Sequence, residues 1–423
     1  MKNLDNTYIV QPVSKCSASE RSIEEVIEEI EGLARAIDLQ IAETRIVNYS
    51  KIHAGSFFGK GTRADIADEI KSTNPNIVIV NCSLSPIQQR NLEKEWGVKI
   101  IDRTGLILEI FGARAQTKEG KLQVELAAMD YQKSRLVRSW THLERQRGGS
   151  GFMGGPGERQ IELDRRMIST RITKLKKELE SVRRTRDLGK KSRERVPFPI
   201  ISLVGYTNAG KSTLFNYITK SDVFAKDLLF ATLDPTMRRI TLPQNQEAIL
   251  ADTVGFISDL PTHLIAAFRA TLEQITGADV IVHVIDVSRD DYMAQKNDVI
   301  QILKDLGIEY EHDERIIEVF NKIDLLDDDF TNDSIRKNKV FISAYSGQGV
   351  DTLLDNIADI TARNCKNVKF EIDVSDGKAL AWLYSHGEII DRNDAESHVS
   401  ISLQLSQTDL DKFQKYFNYS PVT

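Results

Sequence analysis

The run GYTNAGKS, Gly205 to Ser212, follows the apolar stretch IISLV and opens a helical pattern. Glycines at such a strand-to-helix turn let consecutive backbone N–H groups curl around phosphate oxygens, and the helix N-terminus adds its partial positive charge. Gly205, Tyr206, Thr207, Asn208, Ala209 and Gly210 then form a phosphate cradle. Lys211 pairs with the β and γ phosphates, and the Ser212 hydroxyl is offered to Mg2+. The full G-x-x-x-x-G-K-S spacing in its strand–loop–helix setting is a specific signal, which an ordinary turn has no reason to reproduce.

Three further stretches supply what a nucleotide needs. DTVG, Asp252, Thr253, Val254 and Gly255, ends the strand pattern AILA about forty residues after the cradle. An acid there reaches the Mg2+ shell, and the Gly255 N–H can contact a γ-phosphate and sense its loss. NKID, Asn321, Lys322, Ile323 and Asp324, follows EVF. The Asp324 carboxylate can accept from the guanine N1–H and exocyclic amine, neither of which adenine offers. Adenine would leave that charged group unpaired, a penalty of about 1–3 kcal/mol or more. Ser343, Ala344 and Tyr345, after VFI, match a loop that backs the base. Between cradle and DTVG lies FATLDPT, where a switch segment must fall; either Thr232 or Thr236 could bring a hydroxyl to Mg2+, and spacing does not choose.

The elements that position these residues follow from periodicity. TYIVQPV reads as a strand and SERSIEEVIEEIEGLARAI as an amphipathic helix with Ile23, Val26, Ile27 and Ile30 on one face. QIAETRIVNY, a helix from Thr62 to Lys71, NIVIVNC, the helix SPIQQRNLEKEW and a strand-to-helix run KIIDRTGLILEIFGARAQ continue the alternation, which predicts a small parallel α/β sheet. From Leu122 the pattern changes. Leu122, Leu126, Met129, Lys133, Leu136, Trp140 and Leu143 form one heptad-like seam, and Ile161, Arg165, Ile168, Ile172, Leu175, Leu179 and Val182 form another. Two such helices with a tight connector predict an antiparallel hairpin. Its tip is RGGSGFMGGPGERQIELDRR, with six glycines between Gly148 and Gly157. KKSRERVPFP reads as a linker, after which the α/β rhythm returns, with a helix expected around Ala266 to Thr276. The C-terminal stretch reads strand, helix, strand, helix.

The expected fold is therefore α/β and multidomain. Residues 1–115 form an N-terminal α/β domain, and 116–196 a basic helical hairpin with a Gly-rich tip and linker. Residues 197–365 form a P-loop domain, and 366–423 a small α+β appendage.

Charge singles out the hairpin. The chain carries −6 overall, yet between Lys133 and Arg195 there are 19 Lys and Arg against 8 Asp and Glu. Such a cationic island suits contact with nucleic acid, whose affinity comes largely from phosphate neutralisation; a merely solvated helical surface is the other reading. In the first, Arg145, Arg147 and Arg159 contact phosphates while Gly148 and Gly149 let the backbone approach closely. In the second, the glycines are a long flexible turn.

Together these motifs resemble the HflX family of GTPases, relatives of the Obg-type enzymes that bind the large ribosomal subunit. IIDRTGLILEIFGARA, RGGSGFMGGPGERQIELDRR, GYTNAGKS, LFATLDPT, DTVGFISDLP and NKID carry the resemblance, which spans nearly the whole chain; FATLDPT is distinctive. The resemblance implies that Thr232 is the Mg2+-coordinating switch threonine and that Phe230, Ala231, Thr232, Leu233 and Asp234 line the nucleotide. It also implies GTP hydrolysis to GDP, with Lys211, Thr232 and Gly255 in the catalytic set. Ser212 and Thr232 hold the metal directly, and Asp252 through water. The implied partners are GTP, GDP and the ribosomal RNA of the large subunit, and the implied task is splitting or rescue of stalled ribosomes by a monomer. Phe256 stands where Ras-like enzymes place a water-orienting glutamine, so slow intrinsic turnover stimulated by the ribosome is expected. Two rival functions stand beside this one: a nucleotide-regulated protein scaffold with incidental hydrolysis, and an RNA-remodelling ATPase using the N-terminal domain.

Other classes are excluded or reduced. No run approaches eighteen consecutive apolar residues and the N-terminus lacks a leader pattern, so a cytoplasmic protein without a membrane span is expected. Cys16, Cys82 and Cys365 are scattered and fit a reducing compartment. The seven histidines lack zinc-ligand spacing. HAGSFFGKGT, His53 to Thr62, could take a second phosphate, but Thr62 reads better as a helix N-cap. The acidic DLLDDDF lacks calcium-loop spacing.

Overall fold

A computed structural model describes residues 6–15, 21–144, 156–193, 198–220, 230, 236–258, 275–326, 338–363, 365–395 and 397–422. The N-terminal region runs β1 (Asn6–Ser14), α1 (Ile23–Arg35), β2 (Gln40–Tyr49), α2 (Lys60–Thr73), β3 (Ile77–Val80), α3 (Pro86–Trp96), β4 (Lys99–Asp102) and α4 (Arg103–Arg114). Its sheet is ordered β2-β1-β3-β4 and is parallel throughout. Local chemistry starts the helices cleanly. Ser22 and Glu25 form a capping box on α1, and Ser85 and Gln88 do the same for α3, with Pro86 at its first turn and left-handed Gly97 at its end. α2 corrects one expectation: it begins at Lys60 with Gly59 as a cap that makes no side-chain bond, so Thr62 lies inside the first turn.

The hairpin consists of α5 (Lys118–Glu144) and α6 (Pro156–Arg193). Leu122, Leu175 and Leu179 are buried together, with Leu126, Met129 and Val182 against them. These six belong to the two seams expected from the heptad spacing. Arg171 donates across the pair to Glu125 at 2.7 Å. α6 continues through Arg193, so most of the KKSRER segment expected as linker is helix.

The third region contains β5 (Ile200–Gly205), α7 (Lys211–Thr219), β6 (Thr236–Thr241), β7 (Glu247–Asp252), β8 (Val280–Asp286), α8 (Tyr292–Asp305), β9 (Ile316–Asn321), β10 (Lys339–Phe341) and α9 (Val350–Arg363). The sheet order is β10-β9-β8-β5-β7-β6. β8, VIVHVID, is buried at every residue, as a central parallel strand must be when both faces are covered. β6 is antiparallel to β7 and was not legible beforehand: TMRRIT is an exposed, polar edge strand without hydrophobic alternation. The helix expected around Ala266 to Thr276 falls mostly outside the described residues.

The C-terminal region holds β11 (Cys365–Asp373), α10 (Gly377–His386), β12 (Glu388–Asp394), β13 (His398–Ser406) and α11 (Gln407–Phe417), its antiparallel sheet ordered β11-β13-β12. The charged edge strand β12 adds to the expected strand–helix–strand–helix. Phe370, Leu383, Ile401, Leu403 and Phe413 form a separate small core.

The N-terminal and P-loop regions share one hydrophobic core. A single cluster runs from Ile9, Ile30, Leu33, Ile79, Ile107 and Phe111 into Tyr206, Phe230, Val254, Phe256, Ile257, Val299 and Leu303. Among the described residues no helix is long and apolar enough to cross a membrane.

Candidate functional site

Parallel pairing of β5 with β7 and β8 aligns Leu203 with Asp252 and Gly205 with Val284, so the strand ends that carry GYTNAGKS and DTVG lie side by side. Ligands of open α/β sheets bind at that carboxyl edge. The Ser212 hydroxyl at the start of α7 donates to Asp252 Oδ2 at 2.8 Å, and Asp252 is fully buried. A hydroxyl and a carboxylate are the hard oxygen donors that Mg2+ takes, so this pair fits the metal.

Lys211 is buried, and its Nζ donates to the carbonyls of Gly205 at 3.1 Å and Tyr206 at 2.6 Å. Burial pushes its pKa down to about 8, against the opposing pull of the Asp252 charge. A polyphosphate would add counter-charge to that of Asp252. Gly255 backs directly onto this cluster: a methyl there would sit 2.8 Å from Thr207 Cγ2 and 3.0 Å from Lys211 Nζ. Thr253 is held by its hydroxyl on the Leu203 carbonyl at 2.6 Å, and Val254 is buried.

On the other side of the loop, Asn321 Nδ2 donates to the Ala209 carbonyl at 2.8 Å while Asn321 Oδ1 accepts from the Ala344 N–H at 2.9 Å. One buried side chain thus ties the phosphate loop to the segment of Ser343, Ala344 and Tyr345. Gly210, at φ 93°, is required beneath it, because a Cβ would run into Asn321 Nδ2. Lys322 takes a left-handed φ of 67° and pairs with buried Asp286 at 2.7 Å. Ile323 is buried, whereas Asp324 and Tyr345 are exposed. Asn208 is exposed, with φ 62°.

Phe256 points into packing and not into a water-filled site. It is 2% exposed, its N–H donates to the Gly205 carbonyl at 3.1 Å and its carbonyl accepts from the Thr207 N–H at 2.7 Å. Phe230 is buried edge-on against Phe111 of α4, ring centroids 4.7 Å apart. Ala231, Thr232, Leu233 and Asp234 lie outside the described residues, as do Arg145, Arg147, Gly148 and Gly149. Arg159 lies on the first turns of α6.

Sequence reasoning missed a set of charged residues from the N-terminal region that closes over the loop. Tyr206 Oη accepts from the Ser258 N–H at 2.7 Å and from Arg21 Nη1 at 3.0 Å, and donates to Glu29. Arg103 donates to the Ser258 carbonyl at 3.0 Å and hydroxyl at 2.8 Å and pairs with Glu29. Burial works to raise the Glu29 carboxyl; the Arg103 charge and the bonds from Tyr206, Arg103 and Ser258 outweigh it and hold the group below its ordinary range. No local spacing relates residues 29, 103, 206 and 258, so no motif could have announced them.

Four family profiles match consecutive parts of the chain: "GTP-binding GTPase N-terminal" over 24–112, "GTP-binding GTPase Middle Region" over 114–193, "50S ribosome-binding GTPase" over 200–322 and "HflX C-terminal domain" over 330–421. The GTPase HflX of Magnetococcus marinus is 44% identical over 391 residues, covering 92% of this chain and 90% of that protein. The GTPase HflX of Escherichia coli is 41% identical over 393 residues, covering 92% and 91%. Among solved structures, an SsGBP–GDP complex covers 85% of this chain and 99% of its own at 24% identity and a TM-score of 0.48, a likeness that carries no weight for function. With identity of that order to two curated relatives along nearly their whole length, the chain belongs to the HflX family of GTPases, enzymes that hydrolyse GTP.

Proposed function

We propose that this GTPase is Mg2+-dependent, engages the RNA of the large ribosomal subunit through its N-terminal half, and uses its GTP state to set that affinity and to split or rescue stalled ribosomes. The observation that carries the reading is the convergence of Lys211, the Ser212–Asp252 pair and Gly255 at the joined ends of β5 and β7. Lys211 neutralises phosphate charge, Ser212 and Thr232 hold Mg2+, and Asp252 supports it through water. Bound there, Mg2+ would supply positive charge against that of the polyphosphate. The Gly255 N–H contacts the γ-phosphate. Asp324 selects guanine, while Asn321 positions the loops on either side and Ser343 to Tyr345 back the base.

The proposed division of labour follows the four regions: 1–115 and the hairpin 116–196 face the ribosome, 197–365 handles nucleotide, and 366–423 is an appendage. Arg145, Arg147 and Arg159 contact phosphates of RNA, with Gly148 and Gly149 permitting close approach. The protein acts as a cytoplasmic monomer. Because Phe256 is packed away from solvent and cannot orient a water, the isolated enzyme turns over slowly and the ribosome supplies or reorders what is missing; groups supplied in trans are worth about 10³–10⁵ in rate.

Co-sedimentation with separated ribosomal subunits tests the reading, in GDP and in a non-hydrolysable GTP analogue, with light scattering to follow dissociation of whole ribosomes. The expected result is analogue-dependent pelleting with the large subunit and a fall in scattering. Equal pelleting with either subunit in either nucleotide overturns it.

A further inference from the structure

The stretch IIDRTGLILEIFGARA carries the family resemblance, and its Asp102–Gly105 turn lies apart from the proposed nucleotide-contacting residues. That turn touches two working parts at once. Asp102 caps α4 and is buried: Oδ1 accepts from the Gly105 N–H at 2.8 Å and Oδ2 from the Leu84 N–H at 3.2 Å. α5 of the hairpin grips the same carboxylate, Arg135 donating to Oδ2 at 2.8 Å and the Tyr131 hydroxyl to Oδ1. The approach is close because residue 105 has no side chain; a Cβ on Gly105 would stand 3.2 Å from Asp102 Oδ1 and 3.5 Å from Tyr131 Oη.

The adjacent residue reaches the nucleotide side. Arg103 binds the carbonyl and hydroxyl of Ser258, three residues beyond Gly255, and completes the buried pair with Glu29. The far end of the same helix presents Phe111 to Phe230, the first residue of the FATLDPT segment. α4 therefore meets both segments expected to change with the γ-phosphate, and its first residue follows directly on the carboxylate that holds the hairpin.

We infer that the 102–105 turn is the joint between nucleotide and hairpin, Arg103 positioning the 252–258 loop and Asp102 positioning α5. The inference rests on the reading of Gly255 as the γ-phosphate contact. Its physical basis is that buried charges do not stretch apart cheaply: separating one partner from a buried, hydrogen-bonded ion pair strands the other in a low dielectric. A shift of Ser258 thus either breaks the bonds of Arg103 or moves the start of α4, and Asp102 moves with it. The remaining buried bonds, from Tyr206 to Ser258 and Glu29, tie the phosphate loop into the same unit.

Hydrogen exchange in the full chain tests this, read at Lys118–Glu144 with GDP and with a non-hydrolysable GTP analogue, alongside titration with a fluorescent GDP. Asp102→Asn keeps a competent helix cap but removes the charge that Arg135 pairs with. Tyr131→Phe removes only the hairpin's hydroxyl, and Arg103→Lys loses the forked contact on Ser258 while keeping charge. Wild type is expected to exchange differently in the two nucleotides, and each variant to lose most of that difference while GDP affinity stays within about tenfold, or ~1.4 kcal/mol. Full retention of the difference in all three variants, or no difference in a wild type that binds both nucleotides, overturns the joint alone. A wild type that binds neither nucleotide overturns the nucleotide reading and the joint with it.

Discussion

Asn321 and Ala209 are 112 residues apart, yet the Asn321 amide donates to the Ala209 carbonyl at 2.8 Å, and this buried bond, with the one from Ala344 N–H, fixes the Gly205–Ser212 loop relative to the Ser343–Tyr345 segment. Asn321→Ala removes that donor and the acceptor of the Ala344 N–H together. Leaving two buried backbone groups unpaired costs about 1–3 kcal/mol each. Guanine-nucleotide affinity is expected to fall by roughly 10- to 100-fold or more. Fluorescent-GDP titration checks it, and affinity within twofold of wild type would contradict the positioning role.

Gly255→Ala separates hydrolysis from binding. The added methyl would sit 2.8 Å from Thr207 Cγ2 and 3.0 Å from Lys211 Nζ, so the loop must retreat from the γ-phosphate contact proposed for it. GTP turnover is expected to drop by roughly tenfold or more, with GDP affinity changed much less. Lys211→Ala, by contrast, should abolish nucleotide binding or turnover. Phosphate-release assays beside titration distinguish the two patterns, and unchanged turnover in both variants would refute the assigned roles.

Phe256→Gln is not expected to create a fast enzyme. The backbone of residue 256 is bonded on both sides to the phosphate loop and its side chain is directed into the shared core, so a glutamine there is buried and not aimed at a nucleophile. Placing an amide in that packing should cost about 2–5 kcal/mol of stability. Thermal unfolding and single-turnover hydrolysis check both halves; an intrinsic rate raised a hundredfold would show that the loop rearranges more freely than its bonds imply.

His283 predicts a pH dependence of stability. It lies buried in β8 with Nδ1 2.7 Å from Tyr310 Oη, whose hydroxyl donates to Glu318 at 3.1 Å. Burial pushes its pKa down to about 3; the Glu318 charge opposes this, while those of Lys296 and Lys211 assist it. The unfolded chain takes up a proton near pH 6.5 and the folded chain does not, so this residue withdraws stability as pH falls from about 6.5 toward 3, by at most ~1.4 kcal/mol per unit. Denaturant midpoints of wild type and His283→Gln between pH 7 and 5 should converge as the solution becomes more acid. A constant difference would show that His283 titrates alike in both states.

Neutralising Arg145, Arg147 and Arg159 should weaken binding to the large subunit and flatten its dependence on salt. Each lost phosphate contact reduces the slope of log affinity against log salt by roughly 0.7 to 0.9. Binding measured across a salt series is the check, and an unaltered slope would refute the RNA contact proposed for these three arginines.

Much of this protein was legible because its chemistry is local. Gly205 to Ser212 must sit between a strand and a helix for consecutive N–H groups to converge, and Asp252 must end a strand, so a linear pattern suffices to find them. The two leucine seams likewise announce a hairpin, since helix–helix packing repeats along the chain. The polar edge strands β6 and β12 escaped because their residues face water and owe their extended form to a partner strand. Thr62 failed as a cap because capping depends on where the backbone enters the helix, which Gly59 decides.

The amino-acid sequence by itself determined the GTPase family and the α/β fold class, since both depend on residues within one turn or one helical repeat of each other. Only the tertiary structure decided that Glu29, Arg103, Tyr206 and Ser258 close into one buried network and that Phe256 faces the core. Such groups are related by the packing of one region on another: each buried charge is tolerable only when its partner arrives from a distant part of the chain, and no spacing along the sequence records that meeting.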